Sequence, residues 1–487
     1  MTFRRLRGYA AALVLGALPA LAFPAPSWWC LAWFGVVPLL LVVRAAPTPA
    51  DGAVRAWCGL AGYVLATQYW LLPSSGPLLL LLAAGLGALW LPWGFAAHRL
   101  LAPPGTVHRP LAAMVVLPSA WVAAEAVRSW PALGGPWAAL GASQWNQPVT
   151  LASASLGGMW LTSFLVVAVN TGIAGAIVHR RRAIPMVAAA AVCAGVGPVS
   201  FVLEAPTAGS PTARVALVQP GVIDDSTARA AASAALTRTL VGQRPDVVVW
   251  GESSVGVDPA DHPDTMQELT DLSRRVGADL LVNVDARAPT GGIYKSSLLI
   301  GPHGALGGYR KTRLVPFGEY VPLRSLLGPI TGHTKAAGED RHRGSDQVVL
   351  HAGDLALGPL ISFEAAFPDL PRREVELGAQ LLVYQSSTST FQGSWAQPQL
   401  AAMVAVRAAE VGRPAVHAGL SGDSAAFDAR GRRLAWCPSS YRGAVVVTVP
   451  LDARDTAYQR LGDWVLVLAF TVLAGTGALA VVRARRR

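Results

Sequence analysis

Charge is what this chain has least of. Only 14% of its 487 residues are Asp, Glu, Lys or Arg, where a soluble chain carries about a quarter. The deficit is uneven: 1–203 consists of long apolar runs, 204–461 has the mixed composition of a globular domain, and 462–482 is apolar again. Lysine is scarcer still. Of 40 basic residues, only Lys295, Lys311 and Lys335 are not arginine. Cysteine is limited to Cys30, Cys58, Cys193 and Cys437, and only Cys437 falls in the mixed region, so that region folds without an internal disulfide. No CxxC pair or HExxH spacing is present, which predicts no metal, and no cofactor motif is found. The net charge of +11 is not gathered on a basic face with interleaved aromatics, which argues against nucleic acid as a partner.

The basic residues instead flank the apolar runs: Arg4, Arg5 and Arg7; Arg44 and Arg55; Arg99 and Arg109; Arg180 to Arg182; Arg483 to Arg487. A span needs about 20 apolar residues, and the pattern predicts spans near 8–24, 27–43, 55–73, 77–98, 111–128, 156–178, 184–203 and 462–482. With about eight spans and a cytoplasmic N-terminus, every arginine cluster lies inside and 204–461 lies outside. Both termini are then cytoplasmic in a multi-pass protein of the cell membrane. Trp28, Trp29, Trp70, Trp130, Trp137 and Trp145 fall near outer boundaries and read as an interfacial belt. Glu125 and Arg128 read either as an i,i+3 ion pair or as substrate-facing groups.

From Ala213 onward, short β-branched runs alternate with helical stretches. Strands are predicted at 215–219, 246–250, 280–284, 297–300, 356–362 and 381–384, and helices at 226–242, 263–276 and 396–412. Such alternation predicts an α/β sheet covered by helices, with functional residues at strand ends. Glu252 follows the apolar strand Val247–Trp250 and reads either as a turn residue or as a carboxylate base. Lys311 opens a segment that is either a basic surface loop or a site for a compact charge that arginine cannot supply. Ser362 ends a strand beside Glu364, which serines often do without consequence.

Taken together, these segments resemble the carbon–nitrogen hydrolase (nitrilase) superfamily, and with their spans they resemble its membrane-bound apolipoprotein N-acyltransferase branch. The most specific stretch is Tyr309-Arg310-Lys311-Thr312-Arg313-Leu314-Val315-Pro316-Phe317-Gly318-Glu319-Tyr320-Val321-Pro322. Supporting stretches are Arg407 to Pro414, and Tyr458 with Arg460-Leu461-Gly462-Asp463-Trp464. The resemblance implies a polytopic α-helical membrane protein with an inserted nitrilase-like αββα sandwich. Its parts would be an N-terminal membrane domain (1–203), an extracytoplasmic hydrolase-like domain (204–461), and a last span with a basic tail (462–487).

By the same resemblance Glu252 is the general base, Lys311 stabilises the oxyanion, and Glu319 and Glu364 are supporting carboxylates. The implied donor is a phospholipid acyl chain and the implied acceptor a diacylated lipoprotein, with the enzyme a monomer. The family's nucleophile is cysteine, whereas this chain has Ser362. A hydroxyl is a far weaker acid than a thiol, and its acyl-enzyme is an oxygen ester rather than a thioester, so both half-reactions slow. Nearby positions depart as well. Ser386-Ser387-Thr388-Ser389-Thr390-Phe391 replaces Asn-Asp-Ala-Trp-Phe-Gly, Gln399-Leu400 replaces Gln-His, and His417 and Ser421 stand near an expected Arg and Asn. Three readings are open at this point: an acyltransferase working through Ser362, a scaffold that binds lipid or lipoprotein without turnover, and a membrane amidase or esterase.

Overall fold

The computed structural model describes residues 3–102, 108–204, 209–287, 292–327 and 340–485. Lys335, Arg486 and Arg487 lie outside the described residues. The chain divides into two compact units. The first joins Met1–Trp130, Pro136–Ala205 and Arg460–Arg487; the second joins Pro131–Gly135 and Pro206–Gln459.

The first unit is helical. Among the described residues, Leu78–Leu100, Pro110–Arg128, Ala154–Val178, Ala183–Leu203 and Trp464–Arg483 are long and apolar enough to cross a membrane. The sequence predicts about eight spans, and the other three overlie helix that is shorter, broken or more polar. The first is Phe3–Gly16 followed by a 3-10 turn, and the second is Trp29–Trp33 followed by Val37–Arg44. The third, Pro49–Gln68, holds buried Asp51 paired with Arg55 at 3.2 Å. Small residues bring helices together: a Cβ on Gly16 would meet the Gly59 carbonyl oxygen at 2.2 Å.

Glu125 and Arg128 are both buried, and each makes its hydrogen bonds to other groups. Glu125 accepts from Trp121 Nε1 (2.9 Å) and from the Leu140 amide (2.7 Å), while Arg128 donates to the Trp137 carbonyl (2.8 Å). The tryptophans divide too. Trp28 and Trp130 are exposed, whereas Trp70, Trp137 and Trp145 are buried, with Trp70 and Trp137 in contact. The Gly462-Asp463-Trp464 stretch anchors the last helix: Asp463 accepts from Trp160 Nε1 at 3.1 Å and Trp464 donates to the Leu156 carbonyl at 2.9 Å.

The second unit holds two six-stranded sheets. One contains β1 (Thr212–Gln219), β2 (Val247–Trp250), β3 (Asp279–Arg287), β4 (Ile293–Gly301), β5 (Gly304–Arg310) and β12 (Gly443–Pro450), in the order β12-β1-β2-β3-β4-β5. The other contains β6 (Leu350–Ala352), β7 (Leu355–Ile361), β8 (Leu381–Ser386), β9 (Ala415–Gly419), β10 (Ser424–Phe427) and β11 (Arg433–Cys437), in the order β11-β10-β9-β8-β7-β6. Parallel pairs β1–β2–β3 and β7–β8–β9 form the centres.

Side chains alternate across each strand. Val215, Leu217, Val247, Val249 and Leu281 meet Leu357, Leu381, Val383, Val416 and Ala418 in the core between the sheets. Their neighbours Ala216, Val218, Val248, Trp250, Leu280 and Val282 face the opposite way, onto the helix Pro263–Val276. That helix presents Leu269, Leu272 and Val276 at helical spacing and stops at Gly277, whose φ of +72° favours glycine. Helices Asp369–Glu376 and Ala396–Val411 pack on the second sheet. Because both faces of the central strands are buried, they read as unbroken apolar runs. The result is the αββα sandwich implied by the resemblance.

Candidate active site

Glu252 lies two residues beyond β2, Lys311 one beyond β5 and Ser362 one beyond β7. Lys311 lies between two carboxylates. Its Nζ lies 2.9 Å from Glu319 Oε1 and 3.4 Å from Glu252 Oε1, and the side chain is 1% exposed. Burial pushes the ammonium's pKa down, but Glu319 and Glu252 outweigh it and hold it above the ordinary lysine value. Glu319 is fixed in turn by the Val315 amide on its Oε2 (2.9 Å), which accounts for the four-residue spacing within the Leu314–Pro322 motif.

Burial likewise pushes the Glu252 carboxyl up, and Lys295 and Lys311 reverse this to leave it at about 2. Its Oε2 accepts the Ser387 amide at 3.1 Å, and its own amide donates to the Ser386 carbonyl. The two sheets are therefore tied together at Glu252. Gln385, also between the sheets, adds bonds from its Nε2 to the Trp250 and Leu281 carbonyls.

Ser362 joins this group through Glu364. The turn Ser362–Ala366 folds Glu364 back so that Oε2 accepts the Ile361 amide at 2.7 Å. Its Oε1 accepts from Tyr309 Oη, the Thr312 amide and hydroxyl, and the Arg313 amide, at 2.7 to 3.0 Å. One buried carboxylate thus fastens the Ser362 turn to the backbone on both sides of Lys311. Ser362 itself is half-buried, has a φ of +52°, and is in no side-chain hydrogen bond among the described residues. A non-glycine residue in left-handed backbone costs about 1–3 kcal/mol. Ser253, Phe317 and Thr388, each beside a residue of the site, share this feature.

The substituted positions form a neutral, hydrogen-bonded wall. His417 on β9 donates from Nδ1 to the Asp423 carbonyl (2.6 Å), so its Nε2 accepts from the Ser386 hydroxyl (2.7 Å). Burial lowers its pKa to about 4, so it is uncharged at neutral pH. Ser421 donates to the Ser387 carbonyl and accepts from Gln392 Nε2 at 2.8 Å, and Thr388 donates to the Gly422 carbonyl at 2.7 Å. Leu400 and Gln399 are buried in the helix Ala396–Val411. Arg407 pairs with Glu410 at 3.1 Å inside the same helix, which explains that motif as a buried charge pair. Cys437 lies buried on β11.

Sequence reasoning singled out Lys295 by composition but gave it no role; its Nζ is 3.1 Å from Glu252 Oε1. The scarcity of lysine was the available signal.

Two family models match the chain: the apolipoprotein N-acyltransferase N-terminal domain over residues 15–172 and the carbon-nitrogen hydrolase domain over residues 214–459. The apolipoprotein N-acyltransferase of Geobacter metallireducens is 29% identical, with 100% of this chain and 99% of the relative covered. That of Pseudomonas syringae pv. tomato is 30% identical, with 96% of each covered. That of Vibrio vulnificus is 25% identical, with 99% and 98% covered. Among solved structures, an amidase from Nesterenkonia sp. is 20% identical with a TM-score of 0.38, covering 50% of this chain and 93% of that one.

Proposed function

The chain belongs to the apolipoprotein N-acyltransferase family, and from that premise we propose that it transfers a phospholipid acyl chain to the N-terminal amine of diacylglyceryl-cysteine lipoproteins through an acyl-enzyme on Ser362. The observation that carries the assignment is the Glu364 clamp, which fastens the Ser362 turn to the Lys311 segment, while Lys311 in turn touches Glu252.

In the first half-reaction the Ser362 hydroxyl passes its proton to Glu252 as Oγ attacks the carbonyl carbon of the donor ester. Lys311 faces the developing oxyanion, where a preorganised charge in a dry site acts most strongly. The ester C–O bond breaks, and the lysophospholipid leaves with the proton from Glu252. In the second half-reaction the lipoprotein amine attacks the serine ester, Glu252 takes a proton from the nitrogen, and Ser362 departs with it. The amide product and free Ser362 remain. Glu319 and Glu364 hold Lys311 and the two loops in place and touch neither substrate. We assign 1–203 and 462–487 to membrane anchoring and 204–461 to the chemistry. The arginine clusters favour cytoplasmic termini with the catalytic domain outside. The protein acts as a monomer without a cofactor.

The test is mass spectrometry of a reporter lipoprotein's N-terminal peptide from cells whose only enzyme of this type is this chain. Wild type, Ser362→Ala and Ser362→Cys are compared at matched membrane levels. A third acyl chain in wild type that is lost in Ser362→Ala establishes serine-dependent transfer. Diacylated peptide from wild type with triacylated peptide from Ser362→Cys identifies an intact scaffold that has lost its nucleophile. Free fatty acid without N-acylated peptide identifies a hydrolase.

A further inference from the structure

Lys295 takes no part in the chemistry above. It stands on β4 opposite Asp285 of β3, and its carbonyl accepts the Lys311 amide at 2.9 Å. An ammonium has three N–H donors, and three acceptors surround this one: Glu252 Oε1 at 3.1 Å, Asp285 Oδ1 at 3.1 Å and Ser253 Oγ at 2.6 Å. Lys295 is buried, with one hydrogen bond to Ser253 and two ion pairs to carboxylates.

Its effect falls on Glu252. Each carboxylate oxygen accepts along about two directions. Oε1 is reached by both Lys295 and Lys311, whereas among the described residues Oε2 receives only the Ser387 amide. We infer that Lys295 is a positioning residue for the acyl transfer: sharing Oε1 with Lys311, it leaves Oε2 of Glu252 to take the nucleophile's proton and sets how tightly that oxygen holds it. The inference rests on the acyl-transfer reading above.

The charged groups around Glu252 come from several elements. Lys295 is on β4, Lys311 follows β5, and Arg341 acts from the segment that follows Asp340. Behind them, Asp285 on β3 holds Lys295 and lies 3.6 Å from Arg341, and Glu319 and Glu364 bear on Lys311. Losing the Lys295 charge removes one attraction on Glu252 and leaves Asp285 less compensated. Both changes favour the protonated acid. A cation at this range lowers a carboxyl by about 1–3 units, so a shift of that size is expected on its removal.

The test uses the full chain in lipid–detergent micelles with Ser362→Cys, alone and combined with Lys295→Met or Lys295→Arg. The rate of iodoacetamide alkylation at position 362 is read by peptide mass spectrometry against pH. The thiol proton passes to Glu252, so the acid limb marks the pH at which Glu252 loses its own proton. With Lys295 present, alkylation is expected to persist to the lowest pH at which the protein stays folded. Lys295→Met should raise the acid limb by about 1–3 units, and Lys295→Arg should keep it near that of the parent. A rate that falls equally at all pH values, with no movement of the limb, overturns the inference and leaves Lys295 a packing residue. N-acylated product is measured on the same samples. A limb that moves with Lys295 while no variant makes product overturns the acyl-transfer reading and upholds the role of Lys295.

Discussion

The backbone amide of Lys311 donates to the carbonyl of Lys295 at 2.9 Å, so these two lysines stand abreast at neighbouring strand positions. Both ammonium groups reach Oε1 of Glu252. Arginine fills nearly every other cationic position of this chain. A planar fork cannot place two compact charges on a single oxygen, whereas two ammoniums can.

Lys311→Met should remove the oxyanion charge and leave Glu252 and Glu319 buried without it. Acyl transfer should fall by about 10²–10³-fold, and unfolding free energy by about 3–5 kcal/mol, the usual cost of stripping one partner from a buried pair. Lys311→Arg should not restore activity, because the ammonium sits in a space 1% exposed. Near-normal turnover in Lys311→Arg would sink the assignment.

Glu364→Gln keeps an acceptor at Oε1 but turns an amide donor toward the Ile361 N–H, which now donates to Oε2. Two donors then face each other in a fully buried site. The expected cost is about 1–3 kcal/mol, with looser closure of the Ser362 turn on the Lys311 segment. Activity should drop further than stability does. Thermal unfolding and reporter acylation, measured together, check this; unchanged activity would contradict it.

Glu374 is fully buried, and among the described residues neither of its carboxylate oxygens has a hydrogen-bond partner. Burial pushes its pKa up to about 9, with Glu364 adding to the rise. In the unfolded chain a glutamate titrates near 4.3. The folded state therefore binds the extra proton, and stability is fully present below about pH 4.3 and declines as pH rises toward 9. Glu374→Gln should match wild type at pH 4 and exceed it at pH 8, by up to about 5 kcal/mol. Melting temperatures across that range test the sign; a variant less stable than wild type at pH 8 would refute it.

In the membrane unit, Asn170 accepts the Val36 and Val37 amides at 2.9 and 3.1 Å and donates to the Ala32 and Val166 carbonyls at 2.8 Å each. It satisfies the buried first amides of the helix Val37–Arg44, whose N-cap residue makes no side-chain hydrogen bond. Asn170→Leu should cost about 1–3 kcal/mol for each amide left unpaired. Its melting temperature in detergent should fall while that of Asn170→Asp falls less. Equal loss in both would show that shape rather than hydrogen bonding is at stake.

Much of this protein is determined by local sequence. Apolar length marked five of the expected spans that are helices long and apolar enough to cross a membrane, and the buried strands at 215–219, 246–250, 280–284, 297–300, 356–362 and 381–384 overlie β1, β2, β3, β4, β7 and β8 because each is an apolar, largely buried run. Strands β5, β6 and β9 to β12 escaped notice. β5 reads Gly-Ala-Leu-Gly-Gly-Tyr-Arg and has one exposed face, and β6 is three residues long, so neither has a periodic apolar signal. The Leu314–Pro322 motif and the departures around Ser386 and His417 were also readable, since they are matters of residue identity.

Tertiary structure alone decided who touches whom. Glu125 and Arg128 are three apart in a helix yet make their hydrogen bonds to different groups, because the chain returning at Trp137 and Leu140 places a carbonyl and an amide beside them. Lys295 and Glu252 are 43 positions apart, and only the sheet order β2-β3-β4-β5 sets them 3.1 Å from each other. Sequence carries composition and period; which ammonium meets which oxygen depends on strand register, and strand pairing fixes that only when the sheets form.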